Sequence, residues 1–500
     1  MAEIILTTFN ARFSHPSMGL RCLLAGLGKW REKARLIEFD LEKRPEEAVE
    51  AILAQQPRLV GCGVYVWNTE LVTRFATLLK KIRPEVVLVL GGPEASHALD
   101  DHPLAQLADH RVEGEGELIF AAICDAILAN GPALPRKITA PTPDLATLPF
   151  PYDEYDSQDL AHRHLYVESS RGCPYRCAFC LSSLDAAVRR FPLSPFLKEM
   201  ERLLERGGRH FKFVDRTFNL GEKHATAILD FFLARLDTPG IFVHFEMVPD
   251  RLTPAIRERL AAFPPGTLQL ELGIQSFNPT VLQAIHRQQD NLRAEENLRW
   301  LLTATHAHIH TDLIIGLPQE TLESFAQGFD RLITIQPHEI QVGILKRLAG
   351  TPLVSSCPAE EMVFDPFPPY ELLANRNLDF MTLRRLKRFA RYWDLVGNSG
   401  RFPHTLHTVF HGHSPFQVFL AFADWLFTAT HQTHQIALPR LAKLVQEGFS
   451  ANPVQDPVRV NQAVAQDMRQ WQQHGEMTRA ARPPPRQTRH LAPAVPMEKS

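Results

Sequence analysis

The chain contains the stretch Arg171-Gly172-Cys173-Pro174-Tyr175-Arg176-Cys177-Ala178-Phe179-Cys180. Its three cysteines are spaced C-x-x-x-C-x-x-C and directly follow a strand-like run at 164–170. Thiolates are soft ligands that select zinc, copper(I) or an iron–sulfur cluster. A structural zinc site or an ordinary 4Fe–4S cluster needs four protein ligands, and no fourth cysteine or histidine stands at ligand spacing nearby. We therefore expect a cluster with one iron open to an exchangeable ligand; the alternatives are a disulfide and a zinc knuckle.

This loop, with the aromatic Phe179 before its last cysteine, resembles the signature of radical S-adenosylmethionine (SAM) enzymes. The resemblance implies that Cys173, Cys177 and Cys180 hold a 4Fe–4S cluster whose free iron binds the amino and carboxylate groups of SAM. It implies that the reduced cluster cleaves SAM to methionine and a 5′-deoxyadenosyl radical. It also implies a partner that supplies the electron, such as flavodoxin or ferredoxin.

Length and composition predict an ordinary globular protein of about three domains. The chain has 500 residues, 45% of them apolar and 22% charged, and a formal net charge of −2. This charge gives no argument for a nucleic-acid or charged-membrane partner. The seven cysteines do not form a secreted disulfide pattern. The most apolar run, 416–430, is too short to span a bilayer. We expect a cytoplasmic location.

Residues 1–140 alternate strand and helix signals in the manner of a doubly wound parallel sheet. Ligands of such sheets bind at the carboxyl ends of the strands, where glycine-rich loops fall in this sequence. About five strands are predicted, at 4–8, 35–39, 59–66, 86–90 and 109–113, the last two ending at Gly91-Gly92-Pro93-Glu94 and Gly114-Glu115-Gly116-Glu117.

These loops, together with 10–15 (NARFSH) and 64–68 (VYVWN), resemble those of cobalamin-binding radical SAM proteins. The resemblance implies that residues 1–140 bind cobalamin with its corrin face towards the second domain. The D-x-H-x-x-G motif that supplies a histidine to cobalt is absent, and His15 has the wrong neighbours for it. We therefore expect cobalt to have no imidazole ligand from the protein. The predicted cobalamin contacts are Asn10, Ser14, Tyr65, Asn68, Gly91, Gly92, Glu94, Gly114 and Gly116.

Three further cysteines, Cys22, Cys62 and Cys124, fall within the first domain. One interpretation is a second cluster, as in methylthiotransferases, which also carry a domain before a radical SAM loop. Those enzymes hold their extra cysteines in loops, whereas these three stand in predicted helices or an apolar strand. Core packing is therefore the favoured interpretation.

Residues 141–163 read as a proline-rich linker, and 164–365 as a partial (βα)6 barrel of TIM type, the radical SAM core. Its strands are predicted at 164–170, 210–214, 242–247, 269–275, 308–315 and 339–344. Along 269–275, polar residues alternate with leucines, and His308, His310 and Asp312 alternate in the same way. Because outer helices require the apolar face, we expect a polar lumen for SAM and substrate.

Resemblance also assigns roles within the barrel. Residues 213–219, 271–276 and 312–321 look like the family segments around SAM. SAM needs acceptors for its ammonium and hydroxyl groups. The candidates are Asp215, Asn219, Glu271, Gln275 and Asp312, with a structural salt bridge as the alternative role; no catalytic residue is identified.

Residues 366–478 are predicted to be mostly helical and resemble an uncharacterised C-terminal domain attached to a subset of cobalamin-type radical SAM proteins. His404, His407, His411 and His413 suggest a metal site, although nearby proline, glycine and serine favour a loop. Residues 479–500 are predicted to be a disordered tail.

The predicted function is reductive SAM cleavage coupled to cobalamin-dependent methylation of an unactivated carbon in an unknown substrate, a small molecule or another kind of molecule. Three alternatives stay open: a cobalamin-dependent radical rearrangement, a methylthiotransferase, and a non-catalytic cluster-bearing redox or sensor protein.

Overall fold

The computed structural model describes residues 2–97, 102–129, 131–356 and 361–478; the predicted tail at 479–500 lies outside them. The predicted fold class is confirmed. An N-terminal parallel sheet is followed by a second parallel sheet and a mostly helical C-terminal region.

The first sheet has six strands in the order β2-β1-β3-β4-β5-β6, all parallel. Its core lies on both faces, because alternate residues of the fully buried β1 point to opposite sides: Ile5 and Phe9 enter one hydrophobic cluster, Ile4 and Leu6 the other. The elements are β1 (Ile4–Asn10), α1 (Met18–Ala25), β2 (Ala34–Asp40), α2 (Pro45–Leu53), β3 (Leu59–Gly63), α3 (Thr69–Ile82), β4 (Val87–Gly91), α4 (Pro93–His97), α5 (Pro103–Leu107), β5 (His110–Glu113), α6 (Glu117–Leu128) and β6 (Lys137–Thr139).

Two details differ from the sequence prediction. The sixth strand, β6, was not expected, because three residues between prolines carry too short a pattern to be recognised. Strand β3 ends at Gly63, earlier than the predicted Val66, because the Asn68 carboxamide takes over the backbone groups that a longer strand would pair. Its Oδ1 accepts from the Tyr65 amide at 2.8 Å and its Nδ2 donates to the Gly63 carbonyl at 3.3 Å.

The segment 141–163 contains helix α7 (Ser157–His162) and is held to the first domain by buried ion pairs. Arg21 contacts Glu38 at 2.9 Å and Asp159 at 2.7 Å. Arg163 contacts the same two carboxylates at 2.7 and 3.1 Å. All four side chains are at most 10% exposed. The predicted linker is thus a docked segment.

The second sheet has the strand order β14-β13-β12-β11-β10-β7 and is parallel throughout, which confirms the partial barrel of six strands. Its elements are β7 (Leu165–Val167), β8 (Ser170–Arg171), β9 (Arg189–Arg190), α8 (Leu193–Glu205), β10 (His210–Phe213), α9 (Glu222–Leu233), β11 (Phe242–Met247), α10 (Pro254–Ala262), β12 (Leu268–Gln275), α11 (Pro279–Ala284), α12 (Asn291–Ala304), β13 (His308–Ile315), α13 (Leu322–Ile335), β14 (Glu339–Ile344) and α14 (Leu353–Ser356). Strands β8 and β9 form a separate antiparallel pair beside the cysteine loop.

The C-terminal region covers the edge of the barrel. It begins with an antiparallel hairpin and not with the helix expected from residue 366, because the Leu372 amide bonds to the Leu345 carbonyl at 2.8 Å and extends pairing beyond β14. The Trp393 indole and Asn398 side chain both bond to the Ile340 carbonyl at 3.0 Å. The elements are β15 (Val363–Phe364), β16 (Leu372–Ala374), α15 (Phe380–Val396), α16 (Pro403–Phe410), α17 (Pro415–Thr430), α18 (Leu438–Ser450) and α19 (Pro457–Thr478).

The described helices include none with the length and apolar character needed to cross a bilayer.

Candidate active site

The cysteine loop leaves β8 through Gly172, whose backbone has φ +89°. A Cβ atom there would lie 2.1 Å from the Ala187 carbonyl oxygen, so only glycine fits. The Cys173 amide bonds to the Asp185 carbonyl and the Ala178 amide to the Ile285 carbonyl, both at 2.9 Å. These contacts direct Cys173, Cys177 and Cys180 into one cavity of about 230 Å³.

The three thiols suit a polynuclear cluster better than a single metal ion. Thiolates that share one zinc at ~2.3 Å have sulfurs about 4 Å apart. In the described part of the chain, the ligand atoms of Glu271, His310 and Asp312 all lie within 4.8 Å of one another, close enough to share one metal ion. The three cysteine sulfurs do not form such a close group. Their wider separation around one cavity fits three corners of a larger inorganic cluster.

Arg287 brings positive charge to this loop. Its Nη1 lies 3.7 Å from the Cys177 sulfur, its Nε donates to Gln289 at 2.9 Å, and its Nη2 donates to the Gly273 carbonyl. Burial raises the pKa of Cys177, and the Arg287 guanidinium acts against that rise. A cation beside a ligand sulfur favours its thiolate form.

The opposite wall of the cavity comes from the barrel lumen. Glu271, Gly273, Gln275 and Asp312 line it, whereas the alternating leucines of β12 are buried in the core, as the sequence pattern predicts. The pairing of β12 with β13 shifts register between Gly273 and Gln275, and the backbone of Gln275 has φ +69°.

Two other predicted SAM contacts are engaged with the protein. The buried Asp215 carboxylate accepts from the Ser169 amide at 3.0 Å and from the hydroxyls of Ser169 and Ser170 at 2.6 Å. Asn219 bonds to the Val248 amide and carbonyl and to the Arg251 carbonyl. Neither residue lines the cavity. Both fasten the strand ends around it.

A histidine–carboxylate chain fills the lumen below the cavity. His310 Nε2 is 2.9 Å from Asp312 Oδ1, and its Nδ1 is 3.2 Å from Glu339 Oε2. His308 Nε2 lies 3.1 Å from the other Glu339 oxygen. Burial opposes ionisation of Glu339, but hydrogen bonds with both imidazoles keep its pKa well below the usual value. The polar lumen that strand alternation predicts is therefore a bonded network.

A second cavity, of about 490 Å³, lies at the carboxyl ends of the first sheet and faces the cysteine loop. Tyr65, Gly91, Gly92, Gly114 and Gly116 are the predicted cobalamin contacts that line it. At Gly92, with φ +96°, a Cβ would lie 2.6 Å from the Val64 carbonyl, so the loop approaches β3 too closely for a side chain.

The other predicted cobalamin contacts lie elsewhere. Asn10 Nδ2 donates to Glu38 at 2.8 Å, Asn68 braces the end of β3, and the Ser14 carbonyl accepts from the His164 amide at 3.0 Å. Glu94 is buried beside Tyr370 in a different cavity, and burial raises the pKa of its carboxyl group. These four residues are not part of the 490 Å³ lining.

The lining of this cavity contains no histidine in the described part of the chain. His15 Nδ1 lies 2.5 Å from the Tyr166 hydroxyl, at the contact between the two sheets. A large, glycine-walled space without imidazole suits a bulky planar ligand whose central metal takes no histidine from the protein.

The N-terminal cysteines are buried, as the favoured interpretation predicts. Burial raises the pKa of Cys62 and of Cys124 to about 12. They pack in hydrophobic clusters on opposite faces of the sheet. Cys22 and Cys62 border the cavity of about 490 Å³.

The predicted histidine group in the C-terminal region does not form a metal site. His404 and His407 lie on α16, not in the favoured loop. No group of close metal-ligand atoms among the described residues includes either of them.

Ion pairs tie the first sheet to the cysteine loop. Arg171 contacts Glu115 at 2.5 Å, Glu117 at 2.7 Å and Glu168 at 2.9 Å. Burial raises the pKa of Glu168 to about 7 against the opposing effect of Arg171. The loop Gly114–Glu117 was predicted to be functional because of its glycines. Two of its carboxylates, those of Glu115 and Glu117, also form ion pairs between the two domains.

Arg216 and Ser182 line both cavities. Arg216 lies within the segment 213–219 that resembles a family segment around SAM, but no role was predicted for it. The available sequence signal was its position beside Asp215, in the loop that follows strand β10. The two cavities therefore meet at a basic side chain.

Three family models match the chain. They are the radical SAM superfamily over residues 167–332, the B12 binding domain over 5–124, and a protein family of unknown function, DUF4080, over 361–486. The resemblance inferred from the sequence is confirmed for each region.

Curated relatives include methyltransferases. The chain is 28% identical over 318 residues to 2-(S-pantetheinyl)-carbapenam-3-carboxylate methyltransferase of Streptantibioticus cattleyicolor, covering 57% of this chain and 46% of that protein. It is 26% identical over 338 residues to the cobalamin-dependent radical SAM methyltransferase TokK of Streptomyces tokunonensis, covering 60% and 48%. It thus spans about half the length of these relatives.

Solved structures share the fold. The radical SAM methyltransferase TsrM from Kitasatospora setae, with cobalamin and a [4Fe-4S] cluster bound, matches with a TM-score of 0.59 at 17% identity, covering 74% of this chain and 82% of that one. The cobalamin-dependent radical enzyme OxsB matches with a TM-score of 0.61 at 15% identity, covering 95% and 80%.

Proposed function

We propose that this B12-binding radical SAM protein is an enzyme that cleaves SAM reductively and methylates a carbon atom of a small molecule with the help of cobalamin. One observation carries the proposal: a cysteine-lined cavity and a glycine-walled cavity meet at shared residues. A substrate between them would reach both cofactors. The methyltransferase relatives support the same reaction class.

Each cofactor would be held by its own part of the chain. Cys173, Cys177 and Cys180 would bind the 4Fe–4S cluster, and Glu271, Gln275 and Asp312 would accept hydrogen bonds from SAM or orient it. Tyr65 and the glycine loops would contact cobalamin from residues 1–140. Asp215 and Asn219 would position the strand ends within the core at 164–365.

When bound, the cluster, SAM and cobalamin supply the electron, the radical and the methyl carrier. The protein's contribution is orientation and exclusion of water. The Arg171 ion pairs hold the two cavities against each other, and the segment at 141–163, through the buried Asp159, limits domain separation. Arg287 supports the cluster thiolates, and the His310 network keeps Asp312 directed at the lumen.

A methylthiotransferase needs a second cluster. The N-terminal cysteines do not converge on one site, because Cys62 and Cys124 pack on opposite faces of the first sheet, and this argues against that function. A product with the added mass of a trideuteromethyl group, formed from a metabolite extract and deuterated-methyl SAM, would support methylation. SAM cleavage with an unchanged product mass would point to a rearrangement. A chain with a cluster but without SAM cleavage would be a redox or sensor protein.

The proposed partners are a small-molecule substrate and a reductant such as flavodoxin or ferredoxin. The proposed location is the cytoplasm, where a reducing environment protects the cluster thiolates.

Replacing Glu271 tests the lumen wall. Glu271→Ala is expected to weaken SAM binding by about 1–3 kcal/mol, the cost of leaving a polar partner unsatisfied. Equilibrium dialysis on protein with a reconstituted cluster measures this directly. Iron and sulfide content should stay unchanged. Glu258→Ala is the matched control, because the Glu258 side chain is 82% exposed on the outer helix α10. Equal SAM affinity in both variants would remove Glu271 from the site.

Electron paramagnetic resonance tests the cobalamin cavity. We expect the full chain to bind cobalamin with the cofactor's own nucleotide base displaced from cobalt. Loaded with cob(II)alamin, it should then show no nitrogen superhyperfine splitting, because no histidine of the described chain lines the cavity to replace that base. The His15→Ala spectrum should be identical, since His15 bonds to Tyr166. Nitrogen splitting that disappears in His15→Ala would make His15 the cobalt ligand. Failure of the full chain to bind cobalamin would leave this domain without the proposed role.

A further inference from the structure

Arg216 is the basic side chain that both cavities share. Its Nη1 lies 3.1 and 3.4 Å from the two Glu246 carboxylate oxygens. Nε and Nη2 have no hydrogen-bond partner in the described parts of the chain. The side chain is 55% exposed, towards the cavities that it lines. One edge of the guanidinium is thus anchored and the other is free.

The backbone that carries Arg216 is firmly held. Its neighbour Asp215 is bonded by two serines, and Thr217 is buried. Phe218 stacks on Phe245 with ring centroids 4.0 Å apart. An arginine side chain is cationic at any ordinary pH. Glu246, the Cys180 thiolate and Glu271 raise the pKa of Arg216 further, against the opposing effect of burial. A fixed charge on a rigid base loses little entropy when it binds a ligand.

The two other arginines that line these cavities have their donors engaged. Arg171 is surrounded by three carboxylates, and Arg287 uses Nε, Nη1 and Nη2 on the protein. Arg216 differs because its Nε and Nη2 form the parallel pair of donors that matches two oxygens of a carboxylate or phosphate.

We propose that Arg216 binds an oxyanion group of the substrate, a carboxylate or a phosphate, and that the enzyme therefore acts on an anionic small molecule. This assignment rests on the proposed function, because it places the substrate where the two cofactor cavities meet. Glu246 holds the guanidinium in place, and the free edge points the anion between the cavities. The same chemistry has a second source, the methionine carboxylate of SAM, and the test separates the two.

The test uses Arg216→Gln and Arg216→Lys in the full chain, with iron, sulfide and cobalamin content matched to the unaltered protein. Arg299→Gln, on an outer helix, is the control. A metabolite extract is divided by anion exchange into anionic and non-anionic pools. Each pool is dialysed against the proteins in the presence of SAM, and retained compounds are identified by mass spectrometry. SAM affinity is measured separately, so binding is read without turnover.

The unaltered protein and Arg299→Gln should retain a compound from the anionic pool. Retention should fall about 10- to 100-fold in Arg216→Gln, the effect of losing a charged hydrogen-bond pair. Arg216→Lys keeps the positive charge but lacks the paired donors of a guanidinium, so it should recover part of the lost retention. SAM affinity should stay within about twofold, well below that loss.

Two results would overturn the assignment: a retained compound from the non-anionic pool, or no anionic compound retained better by the unaltered protein than by Arg216→Gln. A loss of SAM affinity in Arg216→Gln would reassign the site to the SAM carboxylate. If an anion is retained through Arg216 but gains no methyl group, the proposed reaction fails while the anion site stands.

Discussion

Cys173→Ala, Cys177→Ala and Cys180→Ala are each expected to abolish the iron–sulfur charge-transfer absorbance and all SAM cleavage. The loop offers three thiolates to one cavity, so a cluster that loses one has only two protein ligands left. Incomplete ligation should leave no stable site for SAM. Iron and sulfide analysis after anaerobic reconstitution, together with visible absorbance, measures the effect.

The matched controls are Cys22→Ala, Cys62→Ala and Cys124→Ala. These thiols are buried, and Cys62 and Cys124 pack in hydrophobic clusters on opposite faces of the first sheet. Each variant should therefore keep the full iron and sulfide content. A small loss of stability is expected from the cavity that each substitution leaves. If any of the three lost half its iron, a second cluster would exist and the methylthiotransferase interpretation would return.

Gly172→Ala is expected to prevent cluster assembly although it changes no ligand. The added Cβ would lie 2.1 Å from a backbone oxygen, which cannot move aside as a flexible side chain can, and the residue would also keep φ +89°. The turn must therefore rearrange, which moves Cys173 away from its partners. Reconstituted iron content should fall below half, and thermal unfolding should shift downwards.

Gly207→Ala is the control for backbone strain alone. Gly207 has φ +97°, and a Cβ there meets nothing within 4 Å. This variant should lose about 1–2 kcal/mol of unfolding free energy, the cost of the left-handed region, and keep its cluster. Normal iron content in Gly172→Ala would show that the cysteine loop tolerates a different turn.

Periodicity in the sequence predicted the strands well, because both sheets bury one or both faces and leave a regular apolar pattern. The alternation around Glu271 identified the lumen wall for the same reason. The cysteine loop was readable because its chemistry depends on spacing within ten residues. Strand β6 and the hairpin of β15 and β16 were missed because distant partners stabilise them: β6 pairs with β5, and Leu372 pairs with Leu345.

Side-chain roles were harder to predict than positions. Asn68 and Asp215 stand in the expected loops, but nearby backbone and hydroxyl groups occupy their polar atoms. No sequence pattern shows which polar residue at a strand end faces inward to brace the loop and which faces the ligand. Arg216 faces a cavity because Asp215, its neighbour, faces the protein.

The buried pairs of Arg21 and Glu38 with Asp159 and Arg163 have a consequence for modular exchange of these domains. A boundary drawn after residue 140 divides one electrostatic unit, leaving Arg21 and Glu38 on one piece and their partners on the other. Breaking a buried pair costs about 3–5 kcal/mol, a large part of the stability of a small domain. A boundary after Arg163 keeps the four charges together but takes Tyr152 and Tyr155 out of the barrel core in which they are buried. The segment at 141–163 therefore belongs to both domains, and exchange of either domain must carry it along.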